Sequence, residues 1–276
     1  MLGGVLGLFA TGAAHIWKTD AAQNILTTLQ GLEPGSFKSA EMTLPIPASS
    51  YQLNYVEPAV DAQVHIVRIG SKVHDYFAEA PVEADGPRPA IVLLHGAKRT
   101  GASMIDMWRK TAKASGAVLL APNSSGVAWS ASDDPDQMFD ALLDDAKSRY
   151  SIDPDRIYLF GHSSGAIRAL DLTLTRSDVF AATALHAGVP GAQHLQRLAD
   201  ASRRATRIAI LLGSDDHIFP TTRAVETGKA VAEAGHHVTY VEIKGHNHWY
   251  YSAAGTINDR VWEYLSLYDL QNIYAP

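Results

Sequence analysis

The sequence predicts an α/β fold, with a mostly parallel twisted sheet, helices on both faces and an antiparallel edge towards the N-terminus. From residue 89 onward, short apolar runs alternate with segments of helical periodicity. That alternation is typical of parallel strands joined by crossover helices. Before it, the β-type runs 62–70 and 73–81 are separated by a turn at Gly70 and Ser71, which predicts a hairpin. We interpret residues 51–276 as one domain.

Continuous apolar runs predict the parallel strands, because such strands are buried on both faces. They lie at 89–96, 117–122, 156–160, 179–188, 207–213 and 237–244. Apolar residues three and four positions apart predict the helices. These lie at 101–116, 134–150, 164–175, 192–205, 221–235 and 258–270.

Residues 1–50 form a lead-in to this domain. A helix is predicted over 15–31, and the Pro- and Ser-containing stretch 32–50 is predicted to be coil. The first 14 residues are apolar, too few to cross a bilayer. They resemble the apolar part of a secretion signal, but no basic residue precedes them, and a packed N-terminal helix is the alternative. A secreted or periplasmic location and a cytoplasmic one therefore both stay open.

Composition excludes several classes of function. Of the 276 residues 46% are hydrophobic and 19% charged, which predicts a substantial buried core. The formal net charge of −6, without a Lys- or Arg-rich run, argues against a nucleic-acid partner. The chain has no cysteine, so disulfides, thiolate catalysis and Cys-ligated zinc are excluded. The sequence does not indicate the oligomeric state.

The stretch "RIYLFGHSSGA" at 156–166 carries the strongest functional signal. A strand, then G-x-S-x-G, then a helix is the arrangement of a nucleophile elbow, in which a serine projects from a tight turn. The middle position is Ser163, which predicts that Ser163 is a nucleophile. Gly161 and Gly165 leave the room that the turn needs. Ser164, at the start of the helix, would offer its backbone N–H to an oxyanion.

A serine nucleophile needs a base and a carboxylate that orients the base. In this arrangement they follow the serine in the order acid, then histidine, in loops after later strands. Asp215 and Asp216 follow the strand that ends at Gly213, and His246 and His248 follow the strand that ends near Lys244. Two histidines this close would also suit a metal, but no third ligand has a fitting spacing, and no cofactor is predicted.

The stretches "HDYFAEAP…RPAIVLLHGA", "YSIDPDRIYLFGHSSGA", "LLGSDDHIFP" and "GHNHWYY" cover about residues 73–250. With them the chain resembles the α/β-hydrolase superfamily, in particular the serine esterases that include polyhydroxybutyrate depolymerases and feruloyl esterases. In such enzymes the acid often lies three residues after the glycine that ends its strand, which favours Asp216 over Asp215. The form "NHWYY" favours His248 over His246 as the base.

The resemblance also implies a second oxyanion donor in the H-G segment after the first long parallel strand. Gly96 lets the chain turn there, so that the N–H of Ala97 points at the substrate oxygen. His95 is then a packing residue of this loop. Trp129, Trp249 and His162 are candidates for the wall of a substrate pocket, with ordinary packing as the alternative.

The sequence therefore predicts a serine esterase whose partner is a small-molecule or polymeric ester. Ser163 would be the nucleophile, His248 the base and Asp216 the acid, with the N–H groups of Ala97 and Ser164 as the oxyanion hole. A peptidase for small peptides would use the same groups and is the first alternative. A binding protein that keeps the fold without catalysis is the second. Acyl and alcohol preferences do not follow from the sequence.

Overall fold

A computed structural model describes residues 35–45, 55–81, 86–191 and 204–271 of the chain. Its strands are β1 Phe37–Thr43, β2 Gln63–Ile69, β3 Lys72–Glu79, β4 Arg88–Leu94, β5 Val118–Pro122, β6 Ile152–His162, β7 Ala182–His186, β8 Arg207–Gly213 and β9 His237–Lys244. Its helices are α1 Gly101–Ser115, α2 Asp136–Arg149, α3 Ser164–Thr175, α4 Thr221–Glu233 and α5 Ala254–Leu265.

These strands form one sheet in the order β1-β9-β8-β7-β6-β4-β5-β3-β2. Strands β4 to β9 are parallel to one another wherever they pair, and β1 is parallel to β9. Among the described strands β3 alone runs the other way: it is antiparallel to β5 on one side and to β2 on the other, and β2 and β3 form the hairpin at one edge. The predicted fold class and the hairpin with its turn at Gly70 and Ser71 are confirmed.

The core consists of two layers, one on each face of the sheet. Along β4, Val92 and Leu94 belong to the layer under α2, α3 and α4, whereas Ile91 and Leu93 belong to the layer under α1 and α5. This alternation follows from the two-residue period of a strand. Both faces are covered, which explains why β4 reads as a continuous apolar run.

The coil predicted for residues 32–50 is wrong over Phe37–Thr43, which form β1 at the edge of the sheet. The segment "FKSAEMT" has little β propensity of its own, and pairing with β9 overrides that weakness. Met42 is only 6% exposed and packs in the layer under α1 and α5. This part of the lead-in is therefore built into the same sheet as the rest of the chain.

The last helix begins four residues earlier than the predicted residue 258, and ends at Leu265 rather than 270. Asn258 lies inside α5, and its side chain is buried. Its amide donates to the backbone carbonyl of Met107 at 2.8 Å and its carbonyl accepts from Tyr250 Oη. The predictions for 1–14, 15–31 and most of 192–205 lie outside the described residues.

Candidate active site

The carboxyl ends of the parallel strands bring four loops to one edge of the sheet. They follow β4 at Leu94, β6 at His162, β8 at Gly213 and β9 at Lys244. In open α/β sheets ligands bind at this edge. Apart from Trp129, which lies in the loop after β5, the residues singled out in the sequence lie at or near these four strand ends, although 154 positions separate His95 from Trp249.

Ser163 occupies a strained turn between β6 and α3. Its φ is 54° and its ψ −118°, a conformation that non-glycine residues rarely adopt. The neighbouring backbone is so close that a Cβ on Gly161 would lie 2.3 Å from the carbonyl oxygen of Gly165. A Cβ on Gly165 would lie 2.2 Å from the carbonyl oxygen of Leu94. The two glycines therefore allow the turn, and the turn exposes the serine hydroxyl at the head of a helix.

Three side chains from three loops are hydrogen-bonded in series. The hydroxyl of Ser163 lies 3.0 Å from Nε2 of His248. On the other side of the ring, Nδ1 of His248 lies 2.9 Å from Oδ2 of Asp216. With Nδ1 donating to the carboxylate, Nε2 is left to accept the hydroxyl proton, which is the geometry of an activated serine.

Asp216 is held as a carboxylate in spite of its burial. Burial by itself would raise the pKa of Asp216. The hydrogen bonds from His248 and from the backbone N–H groups of Phe219 and Ile218 outweigh this effect, so the pKa of Asp216 is lowered. Those two N–H groups donate to Oδ1 at 2.9 and 2.8 Å. Oδ2 therefore remains for the histidine, and the carboxylate is fixed by both oxygens.

Two backbone N–H groups beside Ser163 are free to bind a ligand. Within the described part of the chain, neither Ala97 nor Ser164 has an acceptor for its backbone N–H. The N–H of the next residue, Lys98, donates to the carbonyl of Val127 at 2.7 Å. Ser164 is the first residue of α3, where the helix dipole favours negative charge. This pair suits an oxyanion.

Backbone strain is concentrated at this edge of the sheet. Among the described non-glycine residues, positive φ values occur at Lys98, Ser163 and Ala187. They lie just beyond the carboxyl ends of β4, β6 and β7 respectively. Strained backbone persists only where the surrounding packing holds it in place, and it is found most often at functional sites.

Comparison with known proteins relates the segment that carries Ser163, Asp216 and His248 to a family of esterases. A model of the phospholipase/carboxylesterase family matches residues 129–254, which include Ser163, Asp216 and His248. The poly(3-hydroxybutyrate) depolymerase of Ralstonia pickettii is 32% identical over 146 residues, which are 44% of this chain and 30% of that protein. The chain thus matches less than a third of the length of this relative.

Solved structures give the fold. A thermostable esterase superposes with a TM-score of 0.60 at 20% identity, over 76% of this chain and 63% of its own. An acylaminoacyl peptidase of Pyrococcus horikoshii superposes with a TM-score of 0.56 at 16% identity, over 74% of this chain and 40% of the peptidase chain. The chain has the α/β-hydrolase fold. Because an esterase and a peptidase both share it, the fold does not distinguish between these two substrate classes.

The alternatives for acid and base lie outside the hydrogen-bonded series. Asp215 is exposed and accepts a hydrogen bond from Ser214 Oγ at 2.9 Å. His246 is fully buried, and its Nε2 lies 3.1 Å from Nε2 of His186. The structure thus brings Asp216 and His248 to Ser163 and turns Asp215 and His246 away from it.

His95 has the surroundings of a packing residue. It is 1% exposed, its Nδ1–H donates to the carbonyl of Gly96 at 2.8 Å, and its Nε2 accepts from the N–H of Ser124 at 3.1 Å. Burial lowers its pKa, which favours the neutral ring. Its backbone carbonyl accepts from the indole N–H of Trp129 at 2.8 Å, so Trp129 is tied to the loop after β4.

Of the two remaining pocket candidates, Trp249 is half-buried and packs at the edge of the layer under α1 and α5. His162 is 3% exposed. Its ring centroid lies 5.3 Å from that of His248 and 5.1 Å from that of Tyr250. His162 therefore forms the back of the site against the base, and its role as a pocket wall stays a prediction.

Sequence reasoning missed His186, at the end of β7. It is fully buried, its Nδ1 lies 3.0 Å from Nδ1 of His162, and its carbonyl accepts from the N–H of Ser163 at 2.9 Å. One signal was present: a histidine, His186, follows directly after the mostly apolar run "FAATAL". A buried polar side chain needs a partner, and the carboxyl end of a parallel strand points to the site.

Within the described ranges, no cluster of three or more His, Asp or Glu side chains is arranged to hold a metal ion. None of the helices described is both long and apolar enough to cross a membrane.

Proposed function

We propose that the protein is a serine hydrolase that cleaves carboxylic esters through an acyl-serine intermediate. The observation that carries this proposal is the pair of hydrogen bonds made by His248. Its Nε2 lies 3.0 Å from Ser163 Oγ, and its Nδ1 lies 2.9 Å from Asp216 Oδ2. The match to the phospholipase/carboxylesterase family and to a polyester depolymerase supports an ester as the substrate.

In the first half-reaction, Ser163 Oγ attacks the ester carbonyl carbon while His248 Nε2 takes the hydroxyl proton. The carbonyl oxygen becomes an oxyanion, which the N–H groups of Ala97 and Ser164 bind. One such donor contributes about 3 kcal/mol to the transition state. Asp216 keeps the proton on Nδ1 of His248 and stabilises the imidazolium. When the tetrahedral intermediate collapses, the bond to the alcohol oxygen breaks and His248 gives its proton to that oxygen.

In the second half-reaction, water replaces the alcohol. His248 takes a proton from the water as its oxygen attacks the acyl carbon, and a second tetrahedral intermediate forms in the same oxyanion site. Its collapse releases the carboxylic acid and returns the proton to Ser163 Oγ. Atoms and charges balance without a cofactor in either half.

Activity on p-nitrophenyl butyrate with the Ser163→Ala variant tests this proposal. We expect the variant to lose at least about 10³-fold in kcat/KM, and a fluorophosphonate probe to label the wild-type protein at Ser163 alone. Ser148→Ala is the matched control, because Ser148 lies at the far end of α2, away from the site, and should keep full activity.

A p-nitroanilide of an amino acid, assayed beside the ester, separates the two substrate classes. Hydrolysis of the ester at a much higher kcat/KM supports the esterase. A preference for the anilide would identify a peptidase instead. Wild-type protein that neither hydrolyses the ester nor reacts with the probe would overturn the proposal and favour a binding protein.

A further inference from the structure

Three buried histidines form a row behind the proposed catalytic residues. His162 Nδ1 lies 3.0 Å from His186 Nδ1, and His186 Nε2 lies 3.1 Å from His246 Nε2. The exposed fractions of the three residues are 3%, 0% and 0%. Both ring nitrogens of His186 are therefore occupied by other imidazoles, and none of the three belongs to the series through His248.

Each member of this row is linked by the backbone to an element that carries a reacting group. His162 directly precedes Ser163. The carbonyl of His186 accepts from the N–H of Ser163 at 2.9 Å. His246 lies two residues before His248, and its carbonyl accepts from the N–H of Asp215, beside Asp216, at 2.9 Å. The row thus connects the carboxyl ends of β6 and β7 to the loop after β9. Through the carbonyl of His246 it also reaches the loop after β8.

The row provides this link without charge. In a neutral imidazole one nitrogen donates and the other accepts, so two N···N contacts can be satisfied with one proton on each ring. Burial first, and then the neighbouring imidazoles, lowers the pKa of His162 and His186 well below the usual value. For His246 burial lowers the pKa to about 4.

The absence of charge in the row matters because His248, which carries a positive charge during the proposed reaction, lies next to it. The ring centroid of His162 is 5.3 Å from that of His248. During the reaction His248 becomes an imidazolium, and a fixed cation at that distance would oppose it. The other ionisable groups that lie close to the row are Asp215, Asp216, Tyr250 and Tyr251, from the loops after β8 and β9. An Arg–carboxylate link would add fixed charge to this set.

We propose that His162, His186 and His246 are an uncharged positioning row that holds Ser163 and His248 at reacting distance, with His186 as its central residue. This inference rests on the proposed function. It assigns the three histidines no contact with the substrate. Their effect is on geometry, where a displacement of about 1 Å can cost about 10²-fold in rate.

The test compares His186 variants in the full-length protein. His186→Phe keeps a ring of similar size and removes both hydrogen bonds, while the backbone carbonyl that binds Ser163 stays. We expect kcat on p-nitrophenyl butyrate, per active site titrated with fluorophosphonate, to fall 10- to 100-fold with KM within about threefold. The rate constant of labelling by the probe should fall in parallel, because it reports the reactivity of the serine.

Conservative variants and a matched control separate positioning from a general loss of stability. His186→Asn and His186→Gln can each keep one of the two hydrogen bonds, and should recover part of the lost kcat. His236→Phe removes another buried histidine, whose Nδ1 accepts from the N–H of Thr206 at 3.2 Å at the other end of β9. It should lower stability while leaving kcat per active site unchanged.

Nitrogen NMR of the wild-type histidines covers the case in which the Phe variant does not fold. At pH 7 the three rings should each show one protonated and one unprotonated nitrogen. A doubly protonated ring in the row would overturn the inference, as would a His186→Phe variant with wild-type kcat. In both cases wild-type ester hydrolysis would persist, whereas failure of the proposed function would appear as inactivity of the wild-type protein.

Discussion

His248 Nδ1 lies 2.9 Å from Oδ2 of Asp216, although Asp215 is the adjacent residue and is the same kind of side chain. The two aspartate side chains point in different directions from the loop after β8. Asp216 is buried and held by the N–H groups of Ile218 and Phe219, whereas Asp215 is exposed and bonds to Ser214. Of these two carboxylates, that of Asp216 is hydrogen-bonded to the ring, and we propose that it fixes the histidine tautomer.

We therefore expect Asp216→Asn to lower kcat on an ester by about 10²- to 10⁴-fold, because an amide can stabilise the wrong tautomer and cannot balance the imidazolium. Asp215→Asn, its matched control, should stay within about threefold of wild type. Steady-state kinetics on p-nitrophenyl butyrate checks both. Equal losses in the two variants would contradict the assignment of the acid.

The sequence was most informative where structure is local. The elbow at Ser163 was predictable because strand, glycines and helix all lie within twenty residues. The choice between Asp215 and Asp216, or His246 and His248, depends on the direction in which neighbouring side chains leave one loop, and spacing alone does not determine it. The row through His186 needs the order of strands in the sheet, and β1 needs its pairing with β9, which no local pattern encodes.

The elbow also predicts an effect on stability. An alanine at Gly165 would place its Cβ 2.2 Å from the carbonyl oxygen of Leu94. Because that atom is backbone in a central strand, it cannot move aside, and Gly165→Ala should destabilise the fold by at least about 3 kcal/mol. Urea denaturation followed by circular dichroism measures the loss.

Gly255→Ala is the control for this substitution. Gly255 lies in the first turn of α5, and nothing lies within 4 Å of a Cβ built there. Alanine is the better helix former by about 1 kcal/mol, so this variant should be as stable as wild type or more so. A Gly165→Ala variant of wild-type stability would mean that the elbow is wider than the structure gives.

Strand β1 makes a separate prediction about the lead-in. The side chain of Met42 is 6% exposed and packs in the layer under α1 and α5, so Met42→Ala should cost about 2 kcal/mol or more of unfolding free energy. Glu41 next to it is largely exposed and pairs with Lys244 at 2.8 Å. Glu41→Ala should change stability by less than about 1 kcal/mol. Equal, small effects in urea melts would place β1 outside the folded core.

Buried histidines predict that stability falls in mild acid. Burial lowers the pKa of His236 and His246 to about 4, and that of His162 and His186 well below the usual value. An unfolded histidine takes up its proton near pH 6.5. Between about pH 6.5 and pH 4 the unfolded chain therefore binds more protons, and each such histidine lowers the unfolding free energy by about 1.4 kcal/mol per pH unit as the pH falls.

Glu263 changes the pH dependence of the unfolding free energy in the opposite direction. Burial raises its pKa to about 7, so between about pH 4.5 and 7 the folded state holds a proton that the unfolded state has lost. Its contribution to stability is present at acid pH and is lost as the pH rises, which offsets about one histidine. Because at least four histidines act against one glutamate, the net stability should still fall from pH 7 to pH 4.5.

Urea melts at half-unit steps between pH 4.5 and pH 7.5 measure this slope. His236→Gln removes one buried titrating group away from the site, so the slope should become shallower by about 1.4 kcal/mol per pH unit. Val238→Ala, two residues further along the chain in β9 and also buried, is the control. It removes packing but no titrating group, and should lower stability equally at every pH. A His236→Gln variant that keeps the wild-type slope would show that the pKa of His236 is not lowered in the folded protein.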